Sequence, residues 1–283
     1  MFGIPLFDLA WLTLALLIAG GLTGLLAGVF GVGGGALAVP VLYELFTYLD
    51  VPEQVRMPLC VGTSLAVIIP TSIRSFLAHR AKGAVDMSIL KIWAVPVVVG
   101  VLVGSVIARY APAELFKAVF VGVAGVSALR LLLGKDSWNF GTSMPGRALM
   151  IFYGWIIGIL SALMGIGGGQ LSSLFMTFYG RPIHQAVATS SGLGILISVP
   201  GTLGYIYAGW PRAAEFPDVS ALQPPLALGY VSILGLAAFI PTSTLAAPLG
   251  AKLAHTLSRR QLEIAFGIFL LFVCARFLVD LFD

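Results

Sequence analysis

An all-helical integral membrane protein built from two inverted repeats is the fold this sequence predicts, on three observations. Of its 283 residues, 59% are hydrophobic and 10% charged, with a mean hydropathy of +1.01, more apolar surface than a soluble interior can hide. The apolar residues fall into ten runs. Those runs form two sets of five that carry the same short motifs in the same order.

The first set lies near residues 9–30, 36–49, 57–78, 88–108 and 115–134, the second near 148–164, 170–180, 183–208, 226–249 and 261–282. Charge, Gly or Pro ends each run, and a full crossing needs about 20 apolar residues. The first run opens MFGIPLFDLAWLTLALLIAG, with Asp8 and no Lys or Arg ahead of it. It therefore reads as a retained helix and not a cleaved signal. Helix is expected throughout, because lipid offers backbone groups no partner and no run alternates like a barrel strand. The polar stretch KDSWNFGTSMPGR, residues 135–147, separates a first repeat (1–134) from a second (148–283) as a linker within one membrane domain.

Three blocks carry the repetition. Gly31-Val32-Gly33-Gly34-Gly35 returns 134 residues later as Gly165-Ile166-Gly167-Gly168-Gly169, and Gly24 returns as Gly158. Thr63-Ser64 and Gly83 return 126 residues later as Thr189-Ser190 and Gly209. Gly104, Phe120 and Arg130 return at 146 residues as Gly250, Phe266 and Arg276.

The basic residues give orientation and no nucleic-acid patch. One set of alternate loops holds ten Lys and Arg, among them Arg80, Lys82, Lys135 and Arg260, and the other holds five. The richer set is assigned to the cytoplasm, which puts the 135–147 linker inside and both termini in the periplasm of an inner membrane. Five runs per half then invert the second repeat against the first, an arrangement common among secondary transporters.

Candidate site residues follow from the breaks. The second run of each half is short and follows a Gly cluster, the pattern that marks a transporter's midplane site. Gly33, Gly34, Gly35, Gly167, Gly168 and Gly169, with Gln170 beside them, could present backbone N–H groups to an anion at a helix N-terminus. Close helix packing is the plainer reading of such glycines, and Gly20, Gly24 and Gly28 at four-residue spacing fit it. Thr63, Ser64, Thr189 and Ser190 sit early in the third runs, where hydroxyls can donate to a solute or bond a nearby carbonyl. Arg74 is a cation within a run, either functional or reaching back to the cytoplasmic surface.

Other chemistries find less support. Gly31 to Ala36 matches the dinucleotide pattern G-x-G-x-x-G/A but lies between apolar runs, without the strand that pattern requires. His79, His184 and His255 form no metal-ligand spacing. Cys60 and Cys274 map by the repeat offsets to Ala186 and Ala128, so neither belongs to a repeated thiol pair of the kind a transmembrane electron carrier uses. No G-x-S-x-G nucleophile turn is present. A passive channel stays open as an alternative to a gated carrier.

On the doubled G-x-G-G-G clusters, on Gly62-Thr63-Ser64-Leu65 with Ala188-Thr189-Ser190, and on Gly83 and Gly209, the chain resembles the sulfite exporter TauE/SafE family over nearly its whole length. The resemblance implies a multi-pass inner-membrane transporter of sulfite, sulfonates or other small organosulfur or carboxylate anions. Its expected partners are a small anionic solute, the bilayer and a coupling ion, proton or sodium. No nucleic acid, metal or other cofactor is expected.

Overall fold

The computed structural model describes residues 6–30, 35–133, 141, 143–210, 226–254 and 258–282. Among them are ten helices: α1 (Leu6–Phe30), α2 (Gly35–Tyr48), α3 (Glu53–Ala81), α4 (Met87–Tyr110), α5 (Ala113–Leu133), α6 (Arg147–Met164), α7 (Gly169–Phe178), α8 (Ile183–Ala208), α9 (Ile233–Ala254) and α10 (Arg259–Phe282). Each corresponds to one apolar run. Six of them, α3, α4, α5, α6, α8 and α10, are long and apolar enough among the described residues to cross a membrane.

The core is largely apolar, but polar and apolar side chains are not sorted between inside and outside as in a soluble protein. Thr63, Ser64, Ser161, Ser172, Thr189 and Ser198 are buried inside, while Val95, Leu203, Leu245 and Phe272 stand exposed. Aliphatic side chains outside and hydroxyls between helices are what a lipid solvent selects.

The helices pair across the halves: α1 with α9, α4 with α6, α3 with α8, and α5 with α10. Glycines set the spacing. A Cβ added at Gly24 would fall 2.3 Å from the Ser243 carbonyl oxygen, and one at Gly158 would fall 2.3 Å from that of Val97. Backbones therefore touch at these crossings, the packing expected of small residues between membrane helices. Directions follow from the same contacts. Gly20 meets Phe239 and Gly24 meets Ser243, so α1 and α9 are parallel, and Gly154 against Trp93 with Gly104 against Ala162 makes α4 and α6 parallel. By contrast Gly192 meets Phe76, Gly194 meets Ser72 and Gly201 meets Leu65, so α3 and α8 are antiparallel. Helices α5 and α10 are antiparallel too, with Gly267 against Leu132 and Lys117 against Asp280.

One run differs from its expectation. The segment read as 226–249 starts with a hairpin, β1 (Ala227–Leu228) and β2 (Val231–Ser232), before α9. Gly229, at φ +57, opens its two-residue loop, the positive φ such a loop needs. The hairpin docks on the ends of α3 and α8: the Tyr230 N–H donates to the Tyr205 carbonyl at 3.1 Å, and a Cβ at Gly62 would lie 2.1 Å from the Tyr230 carbonyl oxygen. Gly62 therefore has no room for a side chain, whereas its repeat partner is Ala188. Gly209 likewise makes room for Tyr230, since a Cβ there would fall 2.4 Å from the Tyr230 nitrogen. The conformational counterpart of Gly83 is thus Gly229 and not Gly209. Gly83 and Gly229 have φ of +65 and +57, whereas Gly209 does not have a positive φ.

Candidate functional site

The second Gly cluster interrupts the chain in the middle of the fold. Helix α6 ends on Gly165 at φ +66, and α7 starts after Gly168 at φ +69, with no side chain capping its first turn. Both conformations are open to glycine at little cost and strained for other residues. Helix α7 has 10 residues, a rise of about 15 Å, roughly half of the hydrocarbon thickness. It folds back along α6, where the Tyr153 and Phe175 rings lie 4.5 Å apart.

Contacts fix the height of this break. A Cβ at Gly165 would lie 3.0 Å from Val61 Cα, and one at Gly167 would lie 2.7 Å from Ile68 Cγ2. One at Gly168 would lie 2.2 Å from Ile197 Cδ1. Val61 and Ile68 lie in the middle of α3, and Ile197 in the middle of α8. The break therefore sits at mid-height of the two longest helices.

Polar atoms without protein partners gather around it. Ser161 Oγ, both side-chain atoms of Gln170 and Ser198 Oγ are buried and unbonded among the described residues. Ser161 is fully buried, and its Oγ would be 3.4 Å from a Cβ at Gly168. Gln170 lies in the first turn of α7, where the aligned peptide dipoles leave partial positive charge. Ser198 is one turn beyond Gly194, which faces the Gly167 carbonyl. Buried polar groups are normally bonded, so these atoms, like those of Thr23, Arg181 and Thr202, are free to take a partner such as water or a solute.

The other sequence-assigned residues have protein partners. Thr63 Oγ1 accepts from the Ser232 N–H at 2.9 Å, and Thr189 Oγ1 accepts from the Asp86 N–H at 2.9 Å. Asp86 and Ser232 are themselves capping residues. Asp86 Oδ1 accepts from the Ser88 and Ile89 N–H groups, and Ser232 Oγ accepts from the Gly235 N–H. Each threonine thus anchors the start of the other half's fourth helix. Burial would push the Asp86 carboxyl up, but its bonds to Ser88 and Ile89 and the charge of Arg181 outweigh this and hold it below the usual carboxylate range. Ser64 Oγ donates to the Gly165 carbonyl at 2.8 Å, tying α3 to the break. Ser190 Oγ donates to the Val187 carbonyl of its own helix.

Gly169 opens α7, and Gly35 opens α2. Gly33 and Gly34 lie outside the described residues. Arg74 is exposed on α3, apart from the break. The one buried cation among the described residues is Lys117, 1% exposed. It lies 2.8 Å from Glu53 and 3.7 Å from Asp280. Tyr43 donates to Asp280 at 2.5 Å, and Arg276 pairs with Glu44 at 3.0 Å, so this network staples α2, α3, α5 and α10. The repeated arginines both grip a short helix, Arg276 through Glu44 of α2 and Arg130 through Thr177 of α7 at 3.2 Å. Among the described residues no group of His, Cys, Asp and Glu is placed to hold a metal ion.

Sequence reading missed Ser161 and Ser198. Ser72 and Ser198 are 126 residues apart, the offset already found for the threonines, so a signal for that pair was present. Ser161 had none, because its position in the first repeat is Ala27.

Comparison with known proteins agrees with this architecture. The family model for the sulfite exporter TauE/SafE matches residues 16–277. A probable membrane transporter protein of Haemophilus influenzae is 30% identical over 257 residues, 91% of this chain and 94% of the relative. Another, from Methanocaldococcus jannaschii, is 28% identical, covering 91% of this chain and 92% of its own. A third, YunE of Bacillus subtilis, is 26% identical over 69% of this chain and 78% of its own. No solved structure matches. The chain belongs to the TauE/SafE family and is a multi-pass membrane transporter.

Proposed function

We propose that this TauE/SafE-family transporter carries a small anion, of the sulfite or organosulfonate type, across the inner membrane by alternating access, holding it at the α6–α7 break. The observation that carries the reading is the set of unpartnered polar atoms of Ser161, Gln170 and Ser198 at mid-height of the fold. The positive end of α7 supplies favourable potential for an anion there.

The helix pairing supports inverted repeats. Like helices of the two halves (α3 with α8, α5 with α10) meet antiparallel, while first helices meet the other half's fourth helices in parallel. A two-fold axis lying in the membrane plane relates the halves in that way, and rocking about it exchanges access. The ten-to-five excess of Lys and Arg supports a cytoplasmic linker and periplasmic termini. With no nucleotide motif in the sequence, the drive is a gradient, of proton or sodium or of the solute itself.

Counterflow of labelled sulfite in proteoliposomes tests the reading. Preloading with unlabelled sulfite should produce a saturable, transient accumulation of label, and Gln170→Leu should cut it at least about tenfold in protein that keeps its melting temperature. Unsaturable flux without counterflow would identify a channel. A folded Gln170→Leu protein at normal rate would move the site elsewhere, with Arg74 the next candidate.

A further inference from the structure

Gln170 is the feature that says most about the ligand. Its amide has a donor end, Nε2, and an acceptor end, Oε1, and both are buried without a protein partner. A fully deprotonated oxyanion can accept from Nε2 but offers nothing to Oε1. Leaving Oε1 buried and bare would carry the full desolvation penalty of an acceptor.

Charge points the same way. The buried cation among the described residues, Lys117, is held by Glu53 in the network that joins α2, α3, α5 and α10. At the break the positive potential is that of the α7 N-terminus, worth about half an elementary charge. One negative charge is stabilised there, whereas a second would be desolvated without compensation.

We propose that the site selects a monoanion that still carries a hydrogen-bond donor, such as hydrogensulfite or a hydroxyalkanesulfonate, over dianions and over sulfonates lacking an O–H. This rests on the α6–α7 break being the solute site. Oxyanion oxygens take the α7 N–H groups, Gln170 Nε2 and the serine hydroxyls, and the ligand's O–H donates to Gln170 Oε1. With sulfite as solute, only its singly protonated form meets both demands.

The test is competition against labelled sulfite counterflow by three probes: isethionate, 1-propanesulfonate, which replaces the hydroxyl by a methyl group, and sulfate. Wild-type protein should prefer isethionate to 1-propanesulfonate by about tenfold or more, and sulfate should not compete. Sulfite transport should rise as pH falls through the range in which sulfite gains its proton. Gln170→Met keeps side-chain length and removes both amide ends, and it should bring the two sulfonates to similar affinity. Equal or stronger competition by 1-propanesulfonate in the wild type, or an unchanged ratio in folded Gln170→Met protein, overturns the proposal. Should Gln170→Met fail to fold, the wild-type ratio and the pH dependence decide alone. If sulfite and all three probes fail to bind, the anion-transport reading has failed, and this inference with it. If the anions bind and Gln170→Met weakens all of them while the wild type ignores the hydroxyl, the site stands and the donor requirement falls.

Discussion

Thr63 and Thr189 show how a repeated residue can be legible in sequence while its role is not. Spacing marked both as a pair of hydroxyls facing the interior, and both are fully buried. Their partners are backbone N–H groups at the starts of α9 and α4, contacts that no local pattern announces because they span 169 and 103 residues. Thr63→Val should cost about 1–3 kcal/mol by leaving a buried N–H unbonded. Thr189→Val should cost less, since the Asp86 N–H is only partly buried, and Thr63→Ser should recover most of the loss. Thermal unfolding in detergent reads all three, and a Thr63→Val protein as stable as wild type would remove the anchoring role. Gly168 is similar. A larger residue there meets a positive φ and the Ile197 side chain, so it strains the break whether or not it also blocks a solute. Gln170 is therefore the cleaner probe.

At the scale of elements, hydropathy and Gly or Pro breaks located nine of the ten described helices to within a few residues, because each helix must bury its own backbone bonds in lipid. The miss was the hairpin before α9. Its two-residue strands are too short for a period-2 pattern, and Tyr230 and Val231 are apolar enough to read as helix. Pairing partners were also invisible, since which glycine meets which carbonyl is set by the whole bundle. Orientation came from charge counting and can be checked element by element. Tyr48 at the end of α2 and Ser143 ahead of α6 are both exposed, and the native Cys60 and Cys274 are buried, which keeps background labelling low. A membrane-impermeant maleimide should modify Tyr48→Cys in intact cells and Ser143→Cys only after the inner face is opened. Labelling of both from one side would contradict the opposed orientation of the repeats.

For the whole molecule, the two halves exchange partners so that α3 and α8 cross antiparallel at the centre, and the break between α6 and α7 rests against the middle of both. Of the polar groups at that break the repeat extends only to Ser198, whose equivalent is Ser72. Ser161 and Gln170 have Ala27 and Ala36 at the equivalent positions of the first half, so in the proposed site the second half supplies most of the polar groups. A shared scaffold with a one-sided site is compatible with alternating access, provided the same atoms face each compartment in turn. The direct measurement uses Gln170→Cys in a protein whose Cys60 and Cys274 are replaced by Ala, in sealed vesicles of either orientation, treated with a small sulfonate-bearing thiol reagent that does not cross the bilayer. The account expects modification from both sides, slowed from both by saturating sulfite. Modification from neither side, or at a rate that sulfite does not change, would contradict it.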